Sequence, residues 1–196
     1  MKKIEKKMLL CPLLGVFLAM SLNILIATIN LDRIFPSYST EMKPWLFRLP
    51  LLTGLLVYGV LAPIVEELIF RWLFFRKLCV YFIAPAAGVG SAFVFGIYHG
   101  NALQFIYAFI FGMILAYVYW RFENILSSIM VHGAANAYVY IMYFLPVSGV
   151  FSSMGIRILL ILASGVVSIL IMMYFISTSP GRSVLPEKPF FPTKNT

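Results

Sequence analysis

Three ionisable residues lie within one apolar stretch of the sequence, PIVEELIFRWLFF. They are Glu66, Glu67 and Arg71. An ionisable group inside a membrane span is costly, so it needs a partner and commonly has a function. Glu67 and Arg71 are four residues apart with the acid first, which is the favourable order for an ion pair on a helix. Glu66 points about 100° away around that helix, so this spacing leaves it without that partner and available for chemistry.

The two histidines of the chain fall at or within other apolar stretches. The segment FGIYH places Phe95 and His99 on one helical face, and HGAAN places His132 and Asn136 on another. A carboxylate or an imidazole can take a proton from water, and an amide or a second imidazole can stabilise the oxyanion that follows. These residue types favour hydrolysis of a peptide bond by activated water. Packing alone remains an alternative for each histidine, as does an ion-paired clamp between helices for the charged trio.

The composition indicates the elements that must position these residues. The chain has 196 residues, of which 62% are hydrophobic and 11% are charged, and its mean hydropathy is +0.95. Apolar runs of about 20 residues have the length that a helix needs to cross a membrane. We therefore predict an all-α, polytopic helix bundle without a separate soluble domain. The six expected spans are 8–31, 49–75, 80–99, 102–120, 125–144 and 156–176.

The net charge of +8 comes from basic residues that lie between the apolar runs. This distribution predicts membrane topology and no nucleic-acid partner. The groups expected on one side are Lys2, Lys3, Lys6 and Lys7, then Arg76 and Lys77, then Arg121, then Arg182, Lys188 and Lys194. By the positive-inside rule, we expect both termini in the cytoplasm, an uncleaved N-terminal anchor and location in the cell membrane. We also expect the protein to contact membrane lipid.

Three motifs in chain order resemble those of the CPBP, or Abi, family of intramembrane proteases. That family includes type II CAAX prenyl endopeptidases and bacteriocin-processing or self-immunity proteins. The motifs are Glu66-Glu67-x-x-x-Arg71, Phe95-x-x-x-His99 and His132-x-x-x-Asn136. The resemblance predicts a protease core over 49–143, preceded by an anchor helix and outer loop over 1–48. A last transmembrane helix over 144–178 and a flexible cytoplasmic tail over 179–196 follow it.

The resemblance also implies a role for each residue. Glu66 and His99 would activate the attacking water, and His132 and Asn136 would form the oxyanion site. The supporting residues would be Glu67, Arg71 and Phe95. The substrate would be a CAAX-type prenylated protein or a bacteriocin or other peptide precursor, cleaved by a glutamic endopeptidase without a cofactor. Two histidines and a carboxylate leave zinc as an alternative.

Two non-proteolytic functions remain open from the sequence. One is a self-immunity or membrane scaffold protein in which the polar cluster only holds helices together. The other is a transporter or proton relay, which also uses intramembrane acids and histidines. The predicted spans raise one difficulty for a shared site, because His99 falls nearer the outer side than Glu66 and His132.

Overall fold

The protein is an all-α bundle with six main helices in its described residues. The computed structural model describes residues 5–146, 149 and 151–178. The helices are α1 (Lys6–Thr28), α2 (Leu51–Leu78), α3 (Ala84–Tyr98), α4 (Ala102–Phe122), α5 (Ile125–Phe144) and α6 (Met154–Ser177). The tail over 179–196, which we predict to be flexible, lies outside these described residues.

Five of these helices are long and apolar enough to cross a membrane, and α3 is not. The chain is therefore an integral membrane protein, but the prediction of a sixth full span over 80–99 is wrong. Helix α3 has 15 residues, which corresponds to about 22 Å against a hydrocarbon core of about 30 Å. Pro85 in its first turn accounts for the late start, because it has no N–H to donate to the carbonyl of Tyr81 and so prevents the helix from extending further back. Gly100, with a left-handed φ of +65°, stops the helix.

Helix α5 is the centre of the bundle. It contacts α1, α2 and α4, while α3 packs against α4 and α6 packs against α1. Two glycines allow the backbones of α1 and α2 to approach α5 closely. A Cβ atom on Gly15 of α1 would lie 2.1 Å from the Val131 carbonyl oxygen, and one on Gly133 would lie 2.7 Å from the Gly59 carbonyl oxygen. Small residues therefore bring α1 and α2 against the helix that carries His132.

Basic side chains gather at one end of the bundle, which we call the basic end. Arg121 at the end of α4 donates to the carbonyl oxygens of Phe175 and Thr178, at 3.0 and 2.9 Å. Lys7 at the start of α1 donates to the same Thr178 carbonyl at 3.4 Å. These cations satisfy backbone carbonyls at the C-terminal end of α6, where a positive charge is favourable. Lys7, Arg121 and the end of α6 thus lie on one side, as the charge pattern predicts.

The connecting segment, residues 29–50, covers the opposite end of the bundle. The sequence suggested a loop here, yet it contains helical turns at Leu31–Ile34, Tyr38–Met42 and Lys43–Leu46. Phe47 stacks on Tyr143 of α5 with ring centroids 3.9 Å apart. Asn101, which caps the start of α4, donates to the Ser37 hydroxyl at 2.9 Å. These contacts fasten the connecting segment over α4 and α5.

Candidate active site

The backbone of α2 changes its hydrogen-bond pattern on both sides of the two glutamates. Glu66 and Glu67 end an α-helical stretch, Ala62–Glu67, between π-helical stretches at Leu55–Leu61 and Leu68–Phe75. In a π turn the N–H of residue 63 would bond to the carbonyl of Tyr58, but Pro63 has no N–H. The Asn136 amide donates to that Tyr58 carbonyl at 3.0 Å. Pro63 therefore frees a backbone acceptor that positions Asn136.

Glu67 and Arg71 form the ion pair that their spacing predicts. Arg71 Nη1 lies 3.1 Å from Glu67 Oε1, and both side chains are fully buried. Arg71 Nη2 also donates to the Gly112 carbonyl of α4 at 3.3 Å. Its guanidinium carbon lies 4.3 Å from the centre of the Phe95 ring, a cation–π geometry. The pair thus links α2 with α3 and α4 behind the site.

His132 lies between the two glutamates. Its Nδ1 is 2.9 Å from Glu67 Oε1, and its Nε2 is 3.5 Å from Glu66 Oε2. Helical spacing describes only α2, so it could not predict this partner of Glu66, which comes from α5. Since a carboxylate accepts the bond, Glu67 holds the proton of a neutral His132 on Nδ1 and turns Nε2 towards Glu66.

His99 is oriented by the backbone of its own helix. Its Nδ1 lies 2.8 Å from the Phe95 carbonyl oxygen. A carbonyl only accepts, so neutral His99 carries its proton on Nδ1 and leaves Nε2 as an acceptor. The Phe95 ring packs against both imidazoles, with centroids 4.8 Å from His99 and 5.7 Å from His132. His99 and His132 line the same cavity, so the difference in depth that the predicted spans implied does not separate them.

One cavity of about 500 Å³ collects the candidate catalytic side chains. Glu66, His99, His132 and Asn136 all line it, whereas Glu67 does not. The Glu66 side chain is 15% exposed and that of Glu67 is 0% exposed, so only Glu66 offers its carboxylate to a bound molecule. The volume lies within the range of about 300–1,000 Å³ that is common for ligand sites.

The rest of the cavity wall is largely aromatic and comes partly from residues that the motifs do not include. Tyr58, Trp45 and Phe47 line it, the last two from the connecting segment, and Gln104 lies in the first turn of α4. The sequence patterns did not predict that the connecting segment lines the cavity, because its position depends on tertiary contacts. For Tyr58 there was a signal, since Pro63 five residues later removes the partner of its carbonyl in a π turn.

Two histidines and a carboxylate left zinc as an alternative from the sequence. In the part of the chain that the structure describes, no group of three or more His, Cys, Asp or Glu side chains is arranged to hold a metal ion. Glu67 Oε1 already faces both Arg71 and His132 Nδ1. Glu67 is therefore engaged by its neighbours, and zinc binding by the two histidines and Glu66 is tested by the chelator experiment below.

Comparison with known proteins identifies the segment that carries this geometry. Residues 48–138 match the family described as "Type II CAAX prenyl endopeptidase Rce1-like". The match includes all three motifs, from Glu66 to Asn136. This segment, just under half of the chain, resembles the Rce1-like family. The resemblance to CAAX prenyl endopeptidases is thus confirmed for the core of the bundle, and α6 lies outside the matched residues.

One curated relative gives a similar indication. Over 93 residues the chain is 32% identical to "Putative membrane peptidase YdiL" of Bacillus subtilis (strain 168), a match that covers 47% of this chain. The same match covers 38% of the relative, well under half of its length. No solved structure matches the chain. The family description and the name of the relative both refer to peptidases.

Proposed function

We propose that this protein is an intramembrane endopeptidase that hydrolyses a peptide bond of a membrane-associated substrate. The observation that carries the proposal is the shared cavity, where Glu66, His99, His132 and Asn136 meet within a membrane-spanning bundle. Glu67 and Arg71 lie outside its wall and form a buried pair. The Rce1-like core supports the same activity.

In this proposal Glu66 is the general base and water is the nucleophile. His99 Nε2 accepts one hydrogen bond from the water, and the Glu66 carboxylate removes its other proton as the oxygen attacks the scissile carbonyl carbon. The protonated Glu66 then gives this proton to the departing amine, which completes the exchange of one C–N bond for one C–O bond. A single carboxylate can serve both steps because the cavity holds it near water and substrate.

His132 and Asn136 stabilise the oxyanion in the same scheme. Asn136 uses one amide hydrogen for the Tyr58 carbonyl, which leaves its second hydrogen for the substrate. Glu67 fixes the orientation of His132 through Nδ1. When His132 is an imidazolium it carries a proton on both nitrogens, and its Nε2 then donates to the developing charge. Glu67, Arg71 and Phe95 act by positioning these groups.

The apolar and aromatic wall suits a substrate with apolar side chains or a lipid modification. A CAAX-type prenylated protein and a bacteriocin or other peptide precursor both fit this description. Cleavage by purified protein in liposomes, followed by mass spectrometry, tests the function on both. We expect products whose formation is unchanged by a chelator, because the proposed base is a carboxylate; a metalloprotease would lose activity as its metal is removed.

Two results of this experiment would contradict the proposal in different ways. If no candidate is cleaved, and any cellular phenotype survives Glu66→Gln, the polar cluster serves a non-catalytic self-immunity or scaffold protein. If a chelator stops cleavage and zinc restores it, the metal-independent part of the proposal is wrong and hydrolysis stands.

We further propose that the basic end faces the cytoplasm of the cell membrane, as the positive-inside rule implies. Exposed Glu5 lies near this end and exposed Glu41 lies in the connecting segment. A membrane-impermeant maleimide applied to intact cells should label Glu41→Cys and spare Glu5→Cys until the cells are broken. The native Cys79 should contribute little, because burial raises the pKa of its thiol to about 11. Labelling of Glu5→Cys alone in intact cells would reverse the orientation.

A further inference from the structure

A second polar cluster lies on the cavity wall, separate from the proposed catalytic residues. Its members are Asn23 of α1 and Gln104 and Tyr107 of α4, all of which line the cavity. Asn23 Nδ2 donates to the Ala19 carbonyl at 2.8 Å and reaches the Tyr107 hydroxyl at 3.5 Å. Gln104 and Tyr107 are three residues apart and thus share a face of α4. Neither the motifs nor the proposed mechanism uses this cluster.

Gln104 has an unused acceptor in this cluster. Its Oε1 is buried and has no hydrogen-bond partner among the described residues. The backbone of Gln104 is anchored at the start of α4, since its N–H donates to the Asn101 side chain at 3.3 Å. A buried polar atom without a partner is unfavourable, and a ligand that brings a donor relieves that cost. Gln104 follows His99 by only five residues across the Gly100 turn, so such a ligand would extend from the catalytic groups.

The charge of the cavity indicates the kind of donor. Among the described residues that line it, there is no lysine, arginine or aspartate, and Glu66 is the one carboxylate. Arg71 is fully buried and paired with Glu67. A free C-terminal carboxylate of a substrate would therefore find no fixed cation beside Gln104, and burying an unpaired charge is costly. A backbone N–H of an uncharged peptide segment is a donor that suits an amide oxygen.

We propose that Gln104 is a substrate-binding residue that accepts a hydrogen bond from a backbone N–H of the peptide, in a subsite for an uncharged peptide segment. The inference rests on the proposed endopeptidase function and specifies its substrate as a chain that continues through the subsite. Gln104 takes no part in the proton transfers, so it should affect binding and leave the chemical step alone.

The test measures binding separately from cleavage. The probe is a blocked ten-residue apolar peptide, acetylated and amidated, chosen from a fluorescent library by its affinity for the Glu66→Gln protein. In that background, Gln104→Leu should raise the Kd about tenfold, a typical loss for one hydrogen bond. Gln104→Glu retains acceptor oxygens at the same chain length and should recover part of the affinity. With Glu66 intact, Gln104→Leu should raise KM by a similar factor at unchanged kcat.

Peptides that carry a single N-methyl group identify the donor. One N-methyl position should cost the Gln104 protein about tenfold in affinity and cost Gln104→Leu nothing further, because each change removes the same hydrogen bond. A peptide truncated at that residue should bind more tightly as the amide than as the free carboxylate. If Gln104→Leu unfolds in a thermal melt, Gln104→Met replaces it in the same comparison.

The possible outcomes separate this inference from the function itself. Gln104-dependent binding of peptides that the intact protein never cuts would support the subsite and count against proteolysis. Three results would overturn the inference. The first is an equal loss of affinity at every N-methyl position in both proteins. The others are an unchanged affinity in Gln104→Leu and no binding by any library member. A preference for the free carboxylate would also overturn it and indicate recognition of a C-terminus.

Discussion

Replacing Glu66 with glutamine should reduce peptide cleavage about 10³-fold, in line with the contribution of a general base. The substitution keeps the shape of the side chain and removes its ability to take a proton from water. Because Glu66 faces the cavity and is 15% exposed, the bundle should fold and insert as before. The measurement is kcat on one cleaved substrate at matched protein concentration, with thermal unfolding in detergent as the check on folding.

Glu41→Gln is the matched control for this variant. It removes the same charge from an exposed position that does not line the cavity, so cleavage should remain at the native rate. Cleavage by Glu66→Gln within about tenfold of the native rate would exclude Glu66 as the base, since such a loss is below that of general base catalysis. If the two variants lost cleavage and thermal stability together, the loss would reflect folding.

Replacing Arg71 with methionine should cost about 3–5 kcal/mol of folding stability, the usual effect of breaking a buried ion pair from one side. Both partners are fully buried, and Glu67 would keep a charge without its guanidinium partner. The Arg71 contacts to Gly112 and Phe95 would also be lost. Unfolding in detergent, followed by circular dichroism at increasing temperature or denaturant, gives the measurement.

The double variant Glu67→Gln with Arg71→Met is the companion test. It removes both charges, so it should be more stable than Arg71→Met alone, while cleavage stays low because His132 loses the carboxylate on Nδ1. This non-additivity is the expected signature of a coupled pair. Strictly additive losses in stability would contradict the idea that the two residues act as one unit.

The sequence predicted the helices better than it predicted their contacts. Apolar runs located every main helix within a few residues, because a membrane span must be long and apolar. The largest difference was the start of α3, which Pro85 delays, while Gly100 ends the helix close to the predicted limit. Hydropathy registers composition and does not register the backbone limits that these two residues impose.

For the site, spacing within one helix was a sound guide and contacts between helices were not. The Glu67–Arg71 pair follows from four residues of separation. The approach of His132 to both glutamates depends on Gly133 packing against Gly59, a contact between distant parts of the chain. The contribution of Trp45 and Phe47 to the cavity depends on the fold of the connecting segment. A single sequence contains no direct signal for such tertiary contacts.

The short α3 has a consequence for the lipid around the protein. A helix of about 22 Å in a hydrocarbon core of about 30 Å creates a hydrophobic mismatch. Its far end, at Gly100 and Asn101, is held beneath Ser37 of the connecting segment. A hydrophobic helix shorter than the bilayer favours local thinning of the lipid beside it. The acyl chain length of the surrounding bilayer thereby becomes a physical parameter of the cavity next to His99.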